Sequence, residues 1–171
     1  IERGILAKPY FVYHKIAYTP DEARIRAELA SKHLNFRVGM STPYQKAYQL
    51  GIVYNIGRNE AVVRDALMYR DHGLNCMTLV RIKRHGQILM EMMKESGLRV
   101  DFIYGESNQS TRQAKLNSLA AGKIDVLIGS TILDVGVDVP SVGAVILAGG
   151  GKAEVEMRQR VGRGLRAKKN Q

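Results

Sequence analysis

Residues 77–104 read MTLVRIKRHGQILMEMMKESGLRVDFIY and contain two short apolar runs separated by a helical pattern. The runs at 77–82 and 100–104 are rich in β-branched residues, which is typical of parallel strands covered on both faces. The helical pattern at 84–96 has one apolar stripe, formed by Ile88, Leu89, Met92 and Met93. The stretch therefore predicts a strand, a helix and a second strand, with the strands parallel and the crossover right-handed.

The same alternation continues toward the C-terminus. Residues 124–128 and 144–147 are two further apolar runs, and a helical pattern at 111–121 precedes the first of them. This order predicts the α/β class with a parallel sheet. No Pro/Gly/Ser-rich linker interrupts the chain, so we expect a single domain over residues 1–171.

The N-terminal part has a different character, with an extended stretch at 9–18 followed by helical patterns that start at Pro20, Pro43 and Glu60. We expect residues 1–75 to form a helical elaboration packed on the sheet edge, with the core at 76–167. Three capping boxes predict helix starts: Thr19 with Glu22, Thr42 with Gln45, and Ser110 with Gln113. Gly97 and Gly122 fit as helix ends.

The composition is that of a soluble globular protein with a strongly basic balance. Hydrophobic residues make up 45% and charged residues 25%, and 26 Lys and Arg against 16 Asp and Glu give a net charge of +10. Such a charge favours polyanionic partners, nucleic acid first and an acidic membrane surface second. The longest apolar runs, such as 144–148, fall far short of the roughly 20 residues that a membrane span needs.

Cysteine and histidine usage argues against disulfides and metal sites. The single Cys76 cannot form an internal disulfide, and the four His residues show no ligand spacing, so we predict no metal site. No signal-peptide pattern opens the chain, and we expect a cytoplasmic, nucleic-acid-associated protein. Because the chain starts at Ile1 rather than at Met, we expect it to be a piece of a longer protein or a processed product.

Small polar or cationic residues follow each predicted strand, at 83–86, 105–108, 129–131 and 149–151. Ligands of parallel sheets bind outside the carboxyl ends of the strands, so we expect these four segments along one ligand-binding edge.

Several side chains in and near these segments have two interpretations each. Ser130 and Thr131 can donate to phosphate oxygens from a helix N-terminus, or Ser130 only caps a helical turn near Ile132. Asp138 is either an acceptor for a ribose hydroxyl or a buried cap for backbone donors. His85 either contacts a phosphate or stabilises a loop.

Residues 159–166 read QRVGRGLR. In a helix, Gln159, Arg163 and Arg166 stand at i, i+4 and i+7 and share one face, so they can converge on one anion such as a triphosphate. One interpretation is a solvated basic helix, and the other is an arginine-finger helix that stabilises charge on a γ-phosphate. Gly162 and Gly164 favour the arginine-finger interpretation. Glycine costs about 1 kcal/mol inside an exposed helix, so its presence indicates a close approach of the backbone or a helix that ends against another group.

Together these segments resemble the second RecA-like domain of superfamily 2 helicases and translocases. Residues 78–86 look like motif IV, 130–140 like motif V and 159–166 like motif VI, and the resemblance covers 77–166. It implies a RecA-like parallel sheet sandwiched by helices. The wording DVGVDVP at 134–140, and Gln159 where RNA-acting DEAD-box members usually carry His, are nearest to DNA-acting members.

The resemblance also implies roles for individual residues. Arg163 and Arg166 would be the arginine fingers that reach the γ-phosphate of ATP, and Gln159 would orient that phosphate or the attacking water. Gly136 and Asp138 would belong to the ATP-binding segment. The nucleic-acid backbone would be held by Ser130, Thr131, Arg81, Lys83 and Gly105.

The chain lacks a Gly-x-x-x-x-Gly-Lys-Ser/Thr phosphate loop and an Asp-Glu pair after a strand, which the family carries in its first RecA-like domain. The resemblance therefore implies the C-terminal motor domain of an ATP-dependent helicase or translocase acting on DNA, with RNA as the alternative. ATP and Mg²⁺ would be held mainly by the N-terminal RecA-like domain, and this chain alone would be inactive. Two other readings stay open: a non-catalytic nucleic-acid-binding module with this fold, and a nucleotide-binding enzyme such as a transferase.

Overall fold

The computed structural model describes residues 10, 12–15, 42–130 and 142–150. The four strands described are β1 (Cys76–Val80), β2 (Val100–Ile103), β3 (Val126–Ser130) and β4 (Ala144–Leu147). The α-helices are α1 (Pro43–Tyr48), α2 (Ile56–Asp71), α3 (Lys83–Glu95) and α4 (Gln109–Ala120). A π-helical turn, Gln49–Val53, joins α1 to α2.

The strands form one parallel sheet in the order β2-β3-β1-β4, which confirms the predicted α/β architecture. The central strand β1 pairs with β3 along its whole length, from Cys76 opposite Val126 to Val80 opposite Ser130. On its other side β1 pairs with β4. Because all three pairings are parallel, every strand points its carboxyl end to the same edge.

Helices cover both faces of the sheet, as the sequence predicts. Alternate residues of β1 enter two core clusters, Cys76 and Val80 the first, Met77 and Leu79 the second. The first cluster brings in the apolar stripes of α2 and α3, with Val62, Val63, Ala66, Leu89 and Met93. The second brings in Leu116 and Leu119 of α4. The helix α2, which lies N-terminal to β1, is therefore part of the sheet's own core.

The strand limits differ from the sequence prediction in β1, β2 and β3, and β2 ends at Ile103 rather than at residue 104. β1 ends at Val80 rather than at Ile82, and β3 runs over Val126–Ser130 rather than over 124–128. The start of β3 is set by Asp125, whose carboxylate accepts bonds from the backbone N–H of Arg99 at 2.8 Å and from its guanidinium at 2.7 Å. These bonds also hold the pKa of Asp125 below its usual value. The apolar pattern around Asp125 does not indicate this contact, because the partner Arg99 lies 26 residues away in the chain.

Capping geometry confirms three of the predicted helix boundaries and corrects a fourth. Thr42 and Gln45 form the predicted capping box, with Pro43 at the first position of α1. Gly97 and Gly122 follow α3 and α4 with φ of +86° and +71°, the left-handed region that ends helices. The prediction that Ser110 caps α4 is wrong, because the side chain of Asn108 accepts from the N–H of Thr111 at 2.8 Å and starts the helix earlier. Thr19 and Glu22 lie outside the described residues.

Gly86 lets α3 approach the sheet closely. A Cβ at this position would lie 2.4 Å from Cζ and 2.7 Å from Cε2 of the Phe102 ring, which is itself buried on β2. Contacts under 3 Å require the ring or the helix to move. The absence of a side chain at residue 86 therefore sets the distance between α3 and the sheet.

We expect Gly86→Ala to lower the free energy of unfolding by about 1–3 kcal/mol, the usual cost of overpacking a core. Urea unfolding followed by circular dichroism measures the change. Gly51→Ala is the matched control, because a Cβ there meets nothing within 4 Å. Equal stabilities of the Gly86 and Gly51 variants would contradict the close-packing argument.

Candidate functional site

The carboxyl ends of the strands bring four segments to one edge of the sheet, as predicted. Arg81 directly follows β1, the turn with Gly105 follows β2, Ser130 ends β3, and residues 148–150 follow β4. Val80 lies opposite Ser130, and Leu79 lies opposite Leu147, so the ends are level. We call this the carboxyl edge. Among the residues predicted from sequence, it unites Arg81, Lys83, Gly105 and Ser130.

Arg81 leaves β1 and contacts two tyrosines of α1. Its Nη1 donates to the hydroxyl of Tyr44 at 3.2 Å, and its Cζ lies 5.5 Å from the centre of the Tyr48 ring. The Tyr48 hydroxyl in turn donates to the carbonyl of Gly149. Burial raises the pKa of Tyr48 above its ordinary value, which further favours the protonated phenol that donates this bond. Arg81 is exposed and keeps further N–H donors free of these contacts to face a ligand.

Arg58 is a second cation at this edge, which the sequence analysis missed. Its Nη2 donates to the carbonyl of Ala148 at 2.9 Å, and its buried Nε has no hydrogen-bond partner among the described residues. The chain then turns at Gly150, whose φ of +61° favours glycine. The exit of β4 is thus held by two side chains from the N-terminal part, Arg58 and Tyr48.

Lys83 is the first residue of α3 rather than part of a loop. Its Nζ lies 3.4 Å from the carboxylate of Glu106 and 4.1 Å from the centre of the Tyr104 ring, which places it at the exit of β2. Both charged groups of this pair are well exposed, so the ion pair is weak and leaves the ammonium available to a stronger anion. The carbonyl of Gly105 accepts from Nη2 of Arg112 at 2.9 Å, which shapes the same turn.

Ser130 is buried as the last residue of β3, between β1 and β2. Its hydroxyl has no hydrogen-bond partner in the part of the chain that the structure describes. A buried hydroxyl without a partner is costly, so this atom is suited to bind a group that arrives at the edge. Thr131 and the turn near Ile132 lie outside the described residues.

His85 is a buried structural residue and does not face the edge. Its Nε2 lies 2.8 Å from Oδ1 of Asn59, also buried, so the contact ties α3 to α2. Burial first, and the charge of Arg58 second, lower the pKa of His85 to about 4, and the ring is neutral at pH 7. Of the two readings in the sequence, phosphate contact is therefore wrong for this residue.

The described ranges contain neither a cluster of metal ligands nor a membrane-spanning helix. No group of three or more His, Cys, Asp or Glu side chains with ligand geometry occurs there. Cys76 is buried, which raises the pKa of its thiol to about 12. None of the helices described is long and apolar enough to cross a bilayer.

The remaining predicted site residues belong to the segments 131–141 and 151–171, which lie outside the described residues. They are Thr131, Gly136, Asp138, Gln159, Arg163 and Arg166. Their roles stay predictions.

Comparison with known families gives one match that covers most of the chain. A family model described as the helicase conserved C-terminal domain matches residues 59–168. The match begins inside α2 and includes β1 to β4 and the segments 130–140 and 159–166.

The individual relatives are much longer than this chain and match it over only about half of its residues. Putative helicase 22 of Sulfolobus islandicus filamentous virus is 32% identical over 95 residues, which are 56% of this chain and 17% of that protein. UvrABC system protein B of Thermosynechococcus vestitus is 36% identical over 89 residues, 49% of this chain and 13% of that protein. The chain thus spans less than a fifth of either relative.

Solved structures share the fold. A DEAD box protein from Methanococcus jannaschii aligns with a TM-score of 0.54 at 26% identity, over 66% of this chain and 30% of that one. T4 UvsW aligns with a TM-score of 0.60 at 22% identity, over 81% of this chain and 27% of that one. The predicted RecA-like sheet between helices is thereby confirmed.

The neutral His85 makes stability depend on pH in a known direction. Its pKa falls from 6.5 to about 4 on folding, so the unfolded chain binds the extra proton and stability is lost as pH falls below 6.5. We expect the free energy of unfolding to drop by roughly 2 kcal/mol from this group between pH 7 and pH 5. His85→Gln should remove that part of the drop, as measured by urea unfolding at both pH values.

The exposed His72 provides the control. His72→Gln should keep the wild-type pH dependence, and a His85 variant with an unchanged pH dependence would contradict the assignment.

Proposed function

The chain belongs to the helicase conserved C-terminal domain family, and on that premise we propose that it is the C-terminal motor domain of an ATP-dependent, DNA-acting helicase or translocase. The observation that carries the proposal is the carboxyl edge. Family-matched segments 130–140 and 159–166 follow β3 and β4, the strands whose exits lie beside Arg81 and Lys83. This edge presents cations suited to a nucleic-acid backbone, and the chain leaves it toward the two segments that we expect to face ATP.

Contacts to nucleic acid are assigned to the backbone rather than to the bases, because a translocating motor must accept any sequence. Arg81 and Lys83 are exposed cations, and the buried hydroxyl of Ser130 is a donor with no partner among the described residues. Thr131 and the turn at Gly105 complete the proposed set. The net charge of +10 supports a polyanionic partner.

The ATP side of the proposal rests on the resemblance of 130–140 and 159–166 to motifs V and VI. Arg163 and Arg166 act as arginine fingers, Gln159 orients the γ-phosphate or the water, and Gly136 and Asp138 line the nucleotide. Mg²⁺ and most of the ATP are held by an N-terminal RecA-like domain of the full-length protein, because the phosphate-loop motif is absent from this sequence. The isolated chain is accordingly inactive as an ATPase.

The proposal extends to domain organisation, substrate and location. The chain forms one domain, with a partly lineage-specific extension at 1–75 and a core at 76–167, and within the extension α2 packs directly into that core. DNA is preferred to RNA on the strength of Gln159 and the DVGVDVP stretch at 134–140. The full-length protein acts in the cytoplasm.

Arginine-finger removal tests the motor assignment. With the N-terminal RecA-like domain restored in the full-length protein, we expect Arg163→Ala to lower DNA-stimulated ATP turnover by roughly 10³ to 10⁵, because the finger stabilises charge on the γ-phosphate in the transition state. A coupled phosphate-release assay measures the turnover, with DNA and RNA strands compared as activators.

Lys168→Ala is the matched control, since in a helix residue 168 lies opposite the face that 159, 163 and 166 share. It should keep most of the turnover. Full turnover in the Arg163 variant would exclude the finger role, and nucleic-acid binding without any ATP dependence in the full-length protein would favour a non-catalytic binding module.

A further inference from the structure

The helix α1 presents a pair of aromatic side chains beside the carboxyl edge. The rings of Tyr44 and Tyr48 stack with their centres 6.5 Å apart and their planes 29° apart. The Tyr48 hydroxyl donates a hydrogen bond to the carbonyl of Gly149, which follows β4 in the chain. The Tyr44 hydroxyl accepts one from Arg81, which follows β1. We call Tyr44, Tyr48 and Arg81 the tyrosine platform.

The platform is fixed in place from several sides. The capping box of Thr42 and Gln45 holds the start of α1, and the Tyr48 hydroxyl bonds the exit of β4. Arg81 lies over the Tyr48 ring at 5.5 Å and bonds the Tyr44 hydroxyl at 3.2 Å. A ring held in this way loses little conformational freedom when a ligand packs on it, which favours binding.

The ring of Tyr44 nevertheless remains accessible to solvent and to a ligand. Tyr44 is 61% exposed, although a large aromatic side chain is a costly group to leave in water. An exposed ring next to a guanidinium suits one ligand chemistry in particular, an aromatic base joined to a phosphate. Proteins that hold single strands combine such stacking rings with cations that track the backbone.

We propose that Tyr44 stacks on a base of single-stranded nucleic acid while Arg81 holds a phosphate of the same strand. The inference rests on the proposed function and adds to it a contact with a base and a preference for single strands. In a duplex the base faces are covered by their neighbours, so only an unpaired strand can offer a face to Tyr44. Stacking tolerates any sequence, because every base has a π-face, and is therefore compatible with a translocating motor.

Tyr44 lies outside the family match at 59–168. The base contact is thus a property of the N-terminal part of this chain, added to the edge that the family region builds. It also gives this part a role in substrate binding, through α1.

Two strands of equal length separate base contacts from phosphate contacts. We would measure binding of the 171-residue chain to a fluorescent oligothymidine and to an abasic strand with the same phosphates, by fluorescence anisotropy at fixed salt. Wild type should prefer the base-bearing strand, and Tyr44→Ala should weaken its binding about tenfold while leaving the abasic strand unchanged. Tyr44→Phe keeps the ring and should retain the preference.

Tyr10→Ala is the matched control, because it removes the same type of side chain at a position that is 90% exposed. It should bind both strands as wild type does. A second measurement uses the wild-type chain only: photocrosslinking to a strand that carries 5-iodouracil, followed by mass spectrometry, should give an adduct at Tyr44.

Several results would overturn the base contact. One is a Tyr44→Ala variant that loses affinity equally for both strands or for neither, and another is the absence of a crosslink at Tyr44. A variant with weakened ATP binding in the full-length protein but unchanged strand binding would assign the ring to the nucleotide instead. A wild-type chain that binds neither strand would contradict the proposed function itself, an outcome distinct from all of these.

Discussion

The pairing of β1 with strands on both sides is the constraint on which the rest of the structure depends. All five residues of β1 are buried, and its two partners run parallel to it from the same starting level. Parallel pairing obliges the chain to cross over between strands, and the crossovers supply the helices that cover both faces. It also delivers every strand exit to one edge, where Arg81, Ser130 and Gly149 become neighbours although they are far apart in the chain.

Much of this could be predicted from the sequence, because buried strands and amphipathic helices leave periodic patterns. Local rules worked where the determinant was local, as at the Thr42 capping box and at Gly97 and Gly122. They failed at the start of α4, where Asn108 takes the cap position two residues before the predicted cap Ser110. The limits of β3 depended on a contact between Arg99 and Asp125. These residues are 26 positions apart, so the periodicity of the sequence does not predict their contact.

The residues of the candidate site also fall into those that the sequence predicts and those that it does not. Lys83, Gly105 and Ser130 were predictable because each lies in a segment that the sequence places after a strand, whereas Arg81 was named through the resemblance to motif IV. Arg58 and Tyr48 were not, since they contact the exit of β4 across separations of 90 and 101 residues and carry no motif. A helix upstream of the sheet can join the site only through the fold, so its contribution becomes visible once the sheet has placed it.

The number of residues in the π-helical turn between α1 and α2 determines how α1 is rotated relative to the sheet. Tyr48 reaches Gly149 at one end of the turn, and Val53 is 1% exposed in the core at the other. Loss or gain of one residue between them would rotate α1 by about 100° about its axis and turn both tyrosines away from Arg81. Changes of residue type in the turn leave that angle intact. We therefore expect the number of residues in this turn to be more restricted than the residue types at its exposed positions.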